Sequence, residues 1–231
     1  MFFDPLWLAF AGPALLLALY AQFKITGTYG KYSKIANMRG ITGAAAAQSL
    51  LASQGIYDVA IEGTPGKLTD HYDPQSKTLR LSKGVYNTPS VAALGIVAHE
   101  VGHAVQDHKG YLPLRIRGGL VPLANVGSTL AFALFFLGFL IRWPGFFWLG
   151  ISLFTVAVLF TMITLPVELN ASRRARAMLS NTGMVSVQEM NGTKAVLSAA
   201  ALTYVAAMLS AVGQLVYYVF YATGMGGRRG S

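Results

Sequence analysis

Long stretches without charge divide the chain and predict membrane-spanning helices. Residues 5–23 carry no charged side chain, residues 118–167 carry only Arg142, and residues 195–227 carry none. Because a bilayer core takes about 20 helical residues, these stretches predict four transmembrane helices. We place the helices at residues 6–23, 120–141, 146–165 and 195–222. The run Trp143-Pro144-Gly145 predicts a tight turn between the second and third helices.

The composition agrees with a membrane protein that has the lipid bilayer as its surroundings. Of the 231 residues, 54% are hydrophobic and 12% are charged, and the mean hydropathy is +0.49. A soluble protein of this length could not bury so many long apolar runs at once. The first run is either an uncleaved helix or a cleaved signal peptide. No Lys or Arg precedes it, which favours the uncleaved helix.

The basic residues predict the orientation of the chain in the membrane. There are 18 Lys and Arg against 9 Asp and Glu, and they form no dense run of the kind that binds nucleic acid, so we expect no nucleic-acid partner. Fifteen of the 18 lie in residues 24–117 and 166–194. The positive-inside rule makes both segments cytoplasmic. Arg142, Arg228 and Arg229 fall on the opposite side, and the last two argue mildly against a complete fourth crossing.

The segment 24–117 also has the pattern of a small α+β element. Residues 58–62 and 78–82 alternate as half-buried strands do, and the turn-rich residues between them predict a β-hairpin. The hairpin either covers a neighbouring helix or offers a strand edge to an extended peptide, and the sequence favours neither. Residues 42–54 predict an Ala-rich helix that stops at Gly55.

A metal-binding pattern lies in residues 90–106, which are small and apolar, lack Pro and predict a helix. They contain His99-Glu100-Val101-Gly102-His103, the motif H-E-x-x-H. Two His four residues apart share one helix face, so both imidazoles can reach one tetrahedral Zn²⁺ at about 2.0–2.1 Å. Glu100 projects beside the metal, where it can take a proton from bound water. Two His that only pack or cap the helix are the alternative, and the complete motif favours zinc.

The third ligand has to return to the same side of the membrane as the two His. The chain has no Cys, so His, Asp, Glu or water must complete the site. Glu168 follows the third apolar run and is the only acidic residue between Asp107 and Glu189. It is either the third ligand or an interfacial Glu paired with a nearby Arg. Asn170 and Ser172 are candidates for hydrogen bonds to the ligands.

The two remaining His are candidates for polarising a substrate carbonyl. His71 lies in a turn-like cluster and His108 follows the motif helix. A hydrogen-bonded surface turn explains His71 equally well. An interaction with the carboxyl end of the helix explains His108. The sequence therefore does not identify which residue donates a hydrogen bond to the developing oxyanion.

Four runs resemble the neutral zinc metallopeptidases of the bacterial YugP type. They are LTDHYDP (Leu68–Pro74), LRLSKGVY (Leu79–Tyr86), AHEVGHAVQ (Ala98–Gln106) and LPVELNASRRA (Leu165–Ala175). The resemblance covers almost the whole chain and implies a multi-pass zinc protease of the bacterial inner membrane. It implies His99, His103 and Glu168 as ligands and Glu100 as the base. HtpX-type membrane proteases are more distantly similar, but their third-ligand Glu is followed four residues later by Asp, where this chain has Ser172.

We therefore predict a mainly α-helical integral membrane protein with about four transmembrane helices and a small α+β cytoplasmic element that is zincin-like. The predicted function is that of a zinc-dependent endopeptidase with one zinc ion. Its predicted substrates are unfolded or membrane-anchored polypeptides. The alternative is a non-enzymatic scaffold or adaptor that zinc only stabilises. A transporter or channel is disfavoured because the spans hold almost no ionisable residues.

Overall fold

The computed structural model describes residues 5–227. Arg228 and Arg229, on which the prediction about the fourth crossing depended, lie outside the described residues. The chain forms two compact units. Among the described residues, the first contains residues 5–20, 115–166 and 203–227, and the second contains residues 21–114 and 167–202.

Seven helices and three strands follow one another along residues 5–227. In chain order they are α1 (Pro5–Tyr32), α2 (Gly43–Ser53), β1 (Ala60–Thr64), β2 (His71–Asp73), β3 (Thr78–Ser82), α3 (Lys83–Tyr86), α4 (Val91–His108), α5 (Leu112–Ile141), α6 (Pro144–Asn181) and α7 (Val187–Gly227). Within the described chain, four of these helices are long and apolar enough to cross a membrane, namely α1, α5, α6 and α7. The predicted fold class is thus confirmed. Where the bilayer surfaces cut these helices stays a prediction.

Large apolar side chains of the first unit point away from its interior. Leu16 is 69% exposed, and Phe136 and Leu140 are each 67% exposed. A water-soluble protein rarely leaves so many large apolar side chains on long helices uncovered. Contact with lipid acyl chains removes the free-energy cost of exposing these side chains to water, because lipid is as apolar as they are.

Within the first unit, which contains residues 115–141 of α5 and residues 144–166 of α6, these two helices approach closely through glycines. A Cβ atom on Gly138 would lie 2.7 Å from the Phe147 ring, and one on Gly150 would lie 2.7 Å from the Phe135 ring. The turn between them consists of Arg142, with φ at 54°, and Trp143. The predicted turn at residues 143–145 is therefore displaced, because Pro144 begins α6. Proline suits the first helical position, where its missing N–H costs no hydrogen bond.

The sheet of the second unit has the strand order β1-β3-β2. β1 pairs with β3 in parallel, with Ala60 opposite Thr78, and β2 pairs with β3 antiparallel, with Tyr72 opposite Leu79. The prediction that residues 58–62 and 78–82 pair as a hairpin is wrong, and the hairpin consists of β2 and β3. With three residues, β2 is too short for its alternation to be recognised. The long connection from β1 allows the parallel pairing that a tight turn forbids.

The core of the second unit lies between this sheet and helices α2 and α4. Its fully buried members include Leu50, Leu79, Leu81, Leu94 and Val97. The Thr42 hydroxyl caps α2 by accepting a hydrogen bond from the Ala45 N–H, and Gly55 follows the helix with φ at 71°. The helix predicted at residues 42–54 and its stop at Gly55 are confirmed.

Candidate metal centre

Helix α4 carries the H-E-x-x-H motif inside the second unit. It begins after Ser90, whose hydroxyl accepts a hydrogen bond from the Ala93 N–H at 3.1 Å, as expected for a helix N-cap. Most of the helix is buried. His99 and His103 lie one turn apart on the same face, with their rings edge to face and 4.8 Å between centroids.

A glycine lets α6 approach the motif closely. A Cβ atom on Gly102 would lie 2.7 Å from the backbone oxygen of Ala171, so any larger residue would force the two backbones apart. Gly102 lies between the two His in the chain, and Ala171 lies one turn after Glu168. The close approach therefore brings the Glu168 carboxylate to the His pair.

Two imidazole nitrogens and one carboxylate oxygen form a compact donor group. The group consists of His99, His103 and Glu168, whose ligand atoms all lie within 4.8 Å of one another. Glu168 Oε2 lies 3.0 Å from His99 Nε2 and 3.4 Å from His103 Nε2. The Glu168 residue is 1% exposed.

The donor group fits a zinc ion in kind and in spacing. Imidazole nitrogen and carboxylate oxygen are common zinc ligands, and bonds of about 2.0–2.2 Å at tetrahedral angles separate neighbouring ligand atoms by roughly 3.4 Å. The two distances from the Glu168 oxygen are 3.0 and 3.4 Å. Two separations in the donor group are thus close to the value that a tetrahedral zinc site requires.

The far nitrogen of each imidazole has a partner on the side away from Glu168. His99 Nδ1 lies 3.1 Å from the Ser172 hydroxyl, and His103 Nδ1 lies 2.9 Å from Gln106 Oε1. Asn170 contacts neither His directly and instead accepts a hydrogen bond from Gln106. Such contacts orient imidazole ligands and leave the other nitrogen for a metal.

Glu100 lies beside the donor group and is held by the sheet. The backbone N–H of Tyr72 in β2 donates to Glu100 Oε2 at 3.1 Å, and the Tyr72 hydroxyl donates to Asp107 of α4 at 2.9 Å. The pKa of Glu100 is raised to about 7, mainly by burial, with His99 opposing the rise and the negative charge of Glu168 adding to it. A buried carboxyl group that titrates near neutral pH suits proton transfer.

Comparison with known proteins identifies the family. Residues 7–223 match a family described as "putative neutral zinc metallopeptidase". The chain belongs to this family. It is 45% identical over 206 residues to "Putative membrane protease YugP" of Bacillus subtilis strain 168, an alignment that covers 89% of this chain and 92% of that protein. No solved structure matches the chain. The resemblance inferred from the four sequence runs is confirmed.

The two other His of this metallopeptidase-family chain lie outside the donor group. His71 is exposed in β2, and its Nδ1–H donates to the Thr69 carbonyl at 2.8 Å. His108 is exposed at the end of α4. Within the described residues, the group has no fourth His, Asp or Glu member. The roles of His71 and His108 as carbonyl-polarising residues stay predictions.

The structure adds two residues that the sequence reasoning missed. Gln106 lies three positions after His103, a spacing that places two side chains on one helix face and could have indicated the contact. The contact of Tyr72 with Glu100 is made through the backbone. Its side-chain type therefore gives no signal of that contact.

Proposed function

We propose that the protein is a membrane-embedded zinc endopeptidase in which His99, His103 and Glu168 hold one Zn²⁺ and Glu100 is the general base. The observation that carries the proposal is the buried group of two imidazole nitrogens and one carboxylate oxygen, with the buried Glu100 carboxyl beside it. Membership in a metallopeptidase family supports the same reaction class.

The number of protein donors favours an enzyme over a zinc-stabilised scaffold. Structural zinc sites are closed by four protein ligands, whereas catalytic sites keep one position for water or substrate. In the described chain, three residues make up the group, and neither His71 nor His108 belongs to it. This count is what a hydrolytic site requires.

The proposed reaction is hydrolysis of a peptide bond without a covalent enzyme intermediate. A bound zinc ion supplies Lewis acidity, which polarises the scissile carbonyl and lowers the pKa of water to about 7. Glu100 accepts a proton from the attacking water and passes it to the leaving amine. Burial raises the pKa of Glu100 above the ordinary value, which makes the carboxylate a better proton acceptor. The Tyr72 amide holds Glu100 Oε2 and so sets the orientation of the carboxylate.

The proposed substrates are unfolded or membrane-anchored polypeptides. β2 is an edge strand of the sheet, and the amide of Tyr72 in this strand reaches Glu100. An extended peptide that pairs along this edge would bring its backbone close to the general base. Main-chain hydrogen bonds of this kind hold many sequences, as a protease for unfolded chains requires.

We further propose that the protein lies in the bacterial inner (plasma) membrane with the site on the cytoplasmic side, as the Lys and Arg distribution indicates. The chain has no Cys, so one introduced thiol reports its own side. Lys109→Cys, next to α4, and Arg142→Cys, in the α5–α6 turn, are both at exposed positions. A membrane-impermeant maleimide should label Arg142→Cys in spheroplasts and Lys109→Cys only after lysis. The opposite labelling would refute the orientation.

Zinc content and cleavage together test the proposed function. The purified wild type should contain one zinc per chain by elemental analysis and cleave a loosely folded substrate such as casein. Glu168→Ala should lose both properties, because two imidazoles alone hold zinc weakly. Glu62→Ala, which removes an exposed carboxylate in β1, is the matched control and should keep both. Full zinc content in Glu168→Ala would refute the third ligand, and zinc-independent cleavage by the wild type would refute the enzyme class.

A further inference from the structure

Gln106 links the motif helix to the helix that carries Glu168. Its side chain is fully buried in α4. Gln106 Oε1 lies 2.9 Å from His103 Nδ1, and Gln106 Nε2 lies 2.9 Å from the Val167 carbonyl oxygen and 3.0 Å from Asn170 Oδ1. All hydrogen-bonding atoms of this amide therefore face a partner.

The partners of Gln106 allow only one orientation of its amide. The Val167 carbonyl can only accept a hydrogen bond, so the Gln106 atom that faces it must be the NH₂ group. Asn170 adds a second constraint, because the always protonated Arg174 donates from Nε to Asn170 Oδ1 at 2.8 Å. That contact makes the oxygen of Asn170 the atom that faces Gln106.

The orientation of Gln106 in turn determines which nitrogen of His103 carries a proton. Since the Gln106 oxygen faces Nδ1 and can only accept, Nδ1 must be the protonated nitrogen. In the neutral imidazole, Nε2 then keeps its lone pair, and it lies 3.4 Å from Glu168 Oε2. Without the Gln106 oxygen behind Nδ1, the Glu168 oxygen near Nε2 would be the remaining acceptor for the ring proton, and a proton on Nε2 would occupy the lone pair that a metal needs.

We infer that Arg174, Asn170 and Gln106 form a hydrogen-bonded chain of positioning residues that fixes the proton of His103 on Nδ1 and so keeps Nε2 available for a metal ion. The inference rests on the proposed function, since it concerns the ligand role of His103. It assigns a task to three residues outside the donor group, of which Gln106 hydrogen-bonds to the ring of His103.

His99 provides an internal comparison. Its Nδ1 contacts the Ser172 hydroxyl, which can either donate or accept a hydrogen bond. Ser172 therefore orients the His99 ring without dictating which nitrogen is protonated. Breaking the hydrogen-bonded chain that begins at Arg174 should therefore change which nitrogen of His103 is protonated. It should leave the protonation of His99 unchanged.

Nitrogen NMR of the metal-free full-length protein tests this inference directly. With ¹⁵N-labelled His and a pH well above the ordinary His pKa of about 6.5, the shifts of the four imidazoles report which nitrogen is protonated. His103 should carry its proton on Nδ1 in the wild type. In Gln106→Met, which keeps the volume and removes the hydrogen bonds, the Nε2–H form of His103 should become populated, with His99 unchanged. A wild-type His103 spectrum, or an equal change in His99, would overturn the inference.

Zinc affinity gives a second readout that does not depend on catalysis. Competition with a chelator should show zinc binding 10–100-fold weaker in Gln106→Met, the usual effect of losing a partner behind a ligand. Gln54→Met, at a partly exposed position just after α2 and outside the donor group, is the matched control and should bind like the wild type. Equal affinity in Gln106→Met and Gln54→Met would overturn the inference.

A milder variant covers the case in which Gln106→Met does not fold. Asn170→Ala removes one of the two acceptors of the Gln106 amide. It should also populate the Nε2–H form of His103, but to a smaller extent than Gln106→Met. If folded Asn170→Ala kept both the wild-type proton position on His103 and the wild-type zinc affinity, the inference would be overturned. If the wild type bound no zinc, the proposed function would fail, whereas the metal-free spectra would still decide the proton position.

Discussion

The close approach of α4 and α6 at Gly102 predicts the effect of Gly102→Ala on stability and zinc binding. The added Cβ would lie 2.7 Å from the Ala171 backbone oxygen, and non-bonded atoms favour about 3.5 Å. The obstacle is backbone, so α4 and α6 must separate by roughly 0.8 Å locally. A metal site tolerates ligand displacements of only about 0.2 Å. We therefore expect Gly102→Ala to lose zinc affinity as well as stability.

Gly95→Ala is the matched control on the same helix. A Cβ atom there would lie 3.5 Å from the nearest atoms of Thr193, which is an ordinary contact. Both variants gain about 1 kcal/mol from the helix preference of Ala over Gly, so this gain cancels in their comparison. The remaining difference is the cost of overpacking at Gly102, about 1–3 kcal/mol.

Thermal unfolding of the two variants, measured without metal in the same detergent, separates these contributions. For a chain of this length, about 2–4 °C of melting temperature corresponds to each kcal/mol. Gly102→Ala should thus melt roughly 2–12 °C below Gly95→Ala. Chelator competition should show weaker zinc binding only in Gly102→Ala. Equal melting temperatures and equal zinc affinities would refute the reasoning that this contact sets the position of Glu168.

Two further predictions concern the strand that holds Glu100 and the loop before it. Tyr72→Phe removes the hydroxyl bond to Asp107 and should destabilise the protein to chemical unfolding by about 1 kcal/mol, with a smaller loss in Asp107→Asn, which keeps an acceptor. Burial raises the pKa of Asp70, whose carboxylate accepts hydrogen bonds from Ser82. The folded state then binds the proton of the Asp70 carboxyl group more tightly than the unfolded state does. The free energy of unfolding should therefore fall as the pH rises from the ordinary Asp pKa through the raised pKa. Asp70→Asn should lack this fall, and identical pH dependence of melting in both proteins would contradict it.

The fold was predictable where one strong signal decides the local structure. Runs of apolar residues long enough to cross a bilayer fix α1, α5, α6 and α7, whatever their neighbours are. The strand pairing was not predictable in this way. The sequence predicts that β1 and β3 form a hairpin, because they are consecutive among the segments with strand-like alternation. His71–Asp73 is too short to be recognised as the strand that pairs with the other edge of β3.

The candidate site was predictable as far as side-chain type and membrane topology determine it. H-E-x-x-H spacing places His99 and His103 together, and two crossings return Glu168 to their side of the membrane. The contacts behind the His depend on the distance between α4 and α6, which the glycine at position 102 sets. Gln106 could have been suspected from its spacing to His103, but its bonds to Val167 and Asn170 require the packed helices.

The central claim is that Glu100 acts as the base at a zinc centre, and Glu100→Gln tests it most directly. Glutamine keeps the size of the side chain and an oxygen that can accept from the Tyr72 amide, but it cannot take a proton from water. We predict that the purified variant keeps one zinc per chain and cleaves casein at least about 10²-fold more slowly than the wild type. Cleavage at the wild-type rate by the zinc-loaded variant would contradict the account.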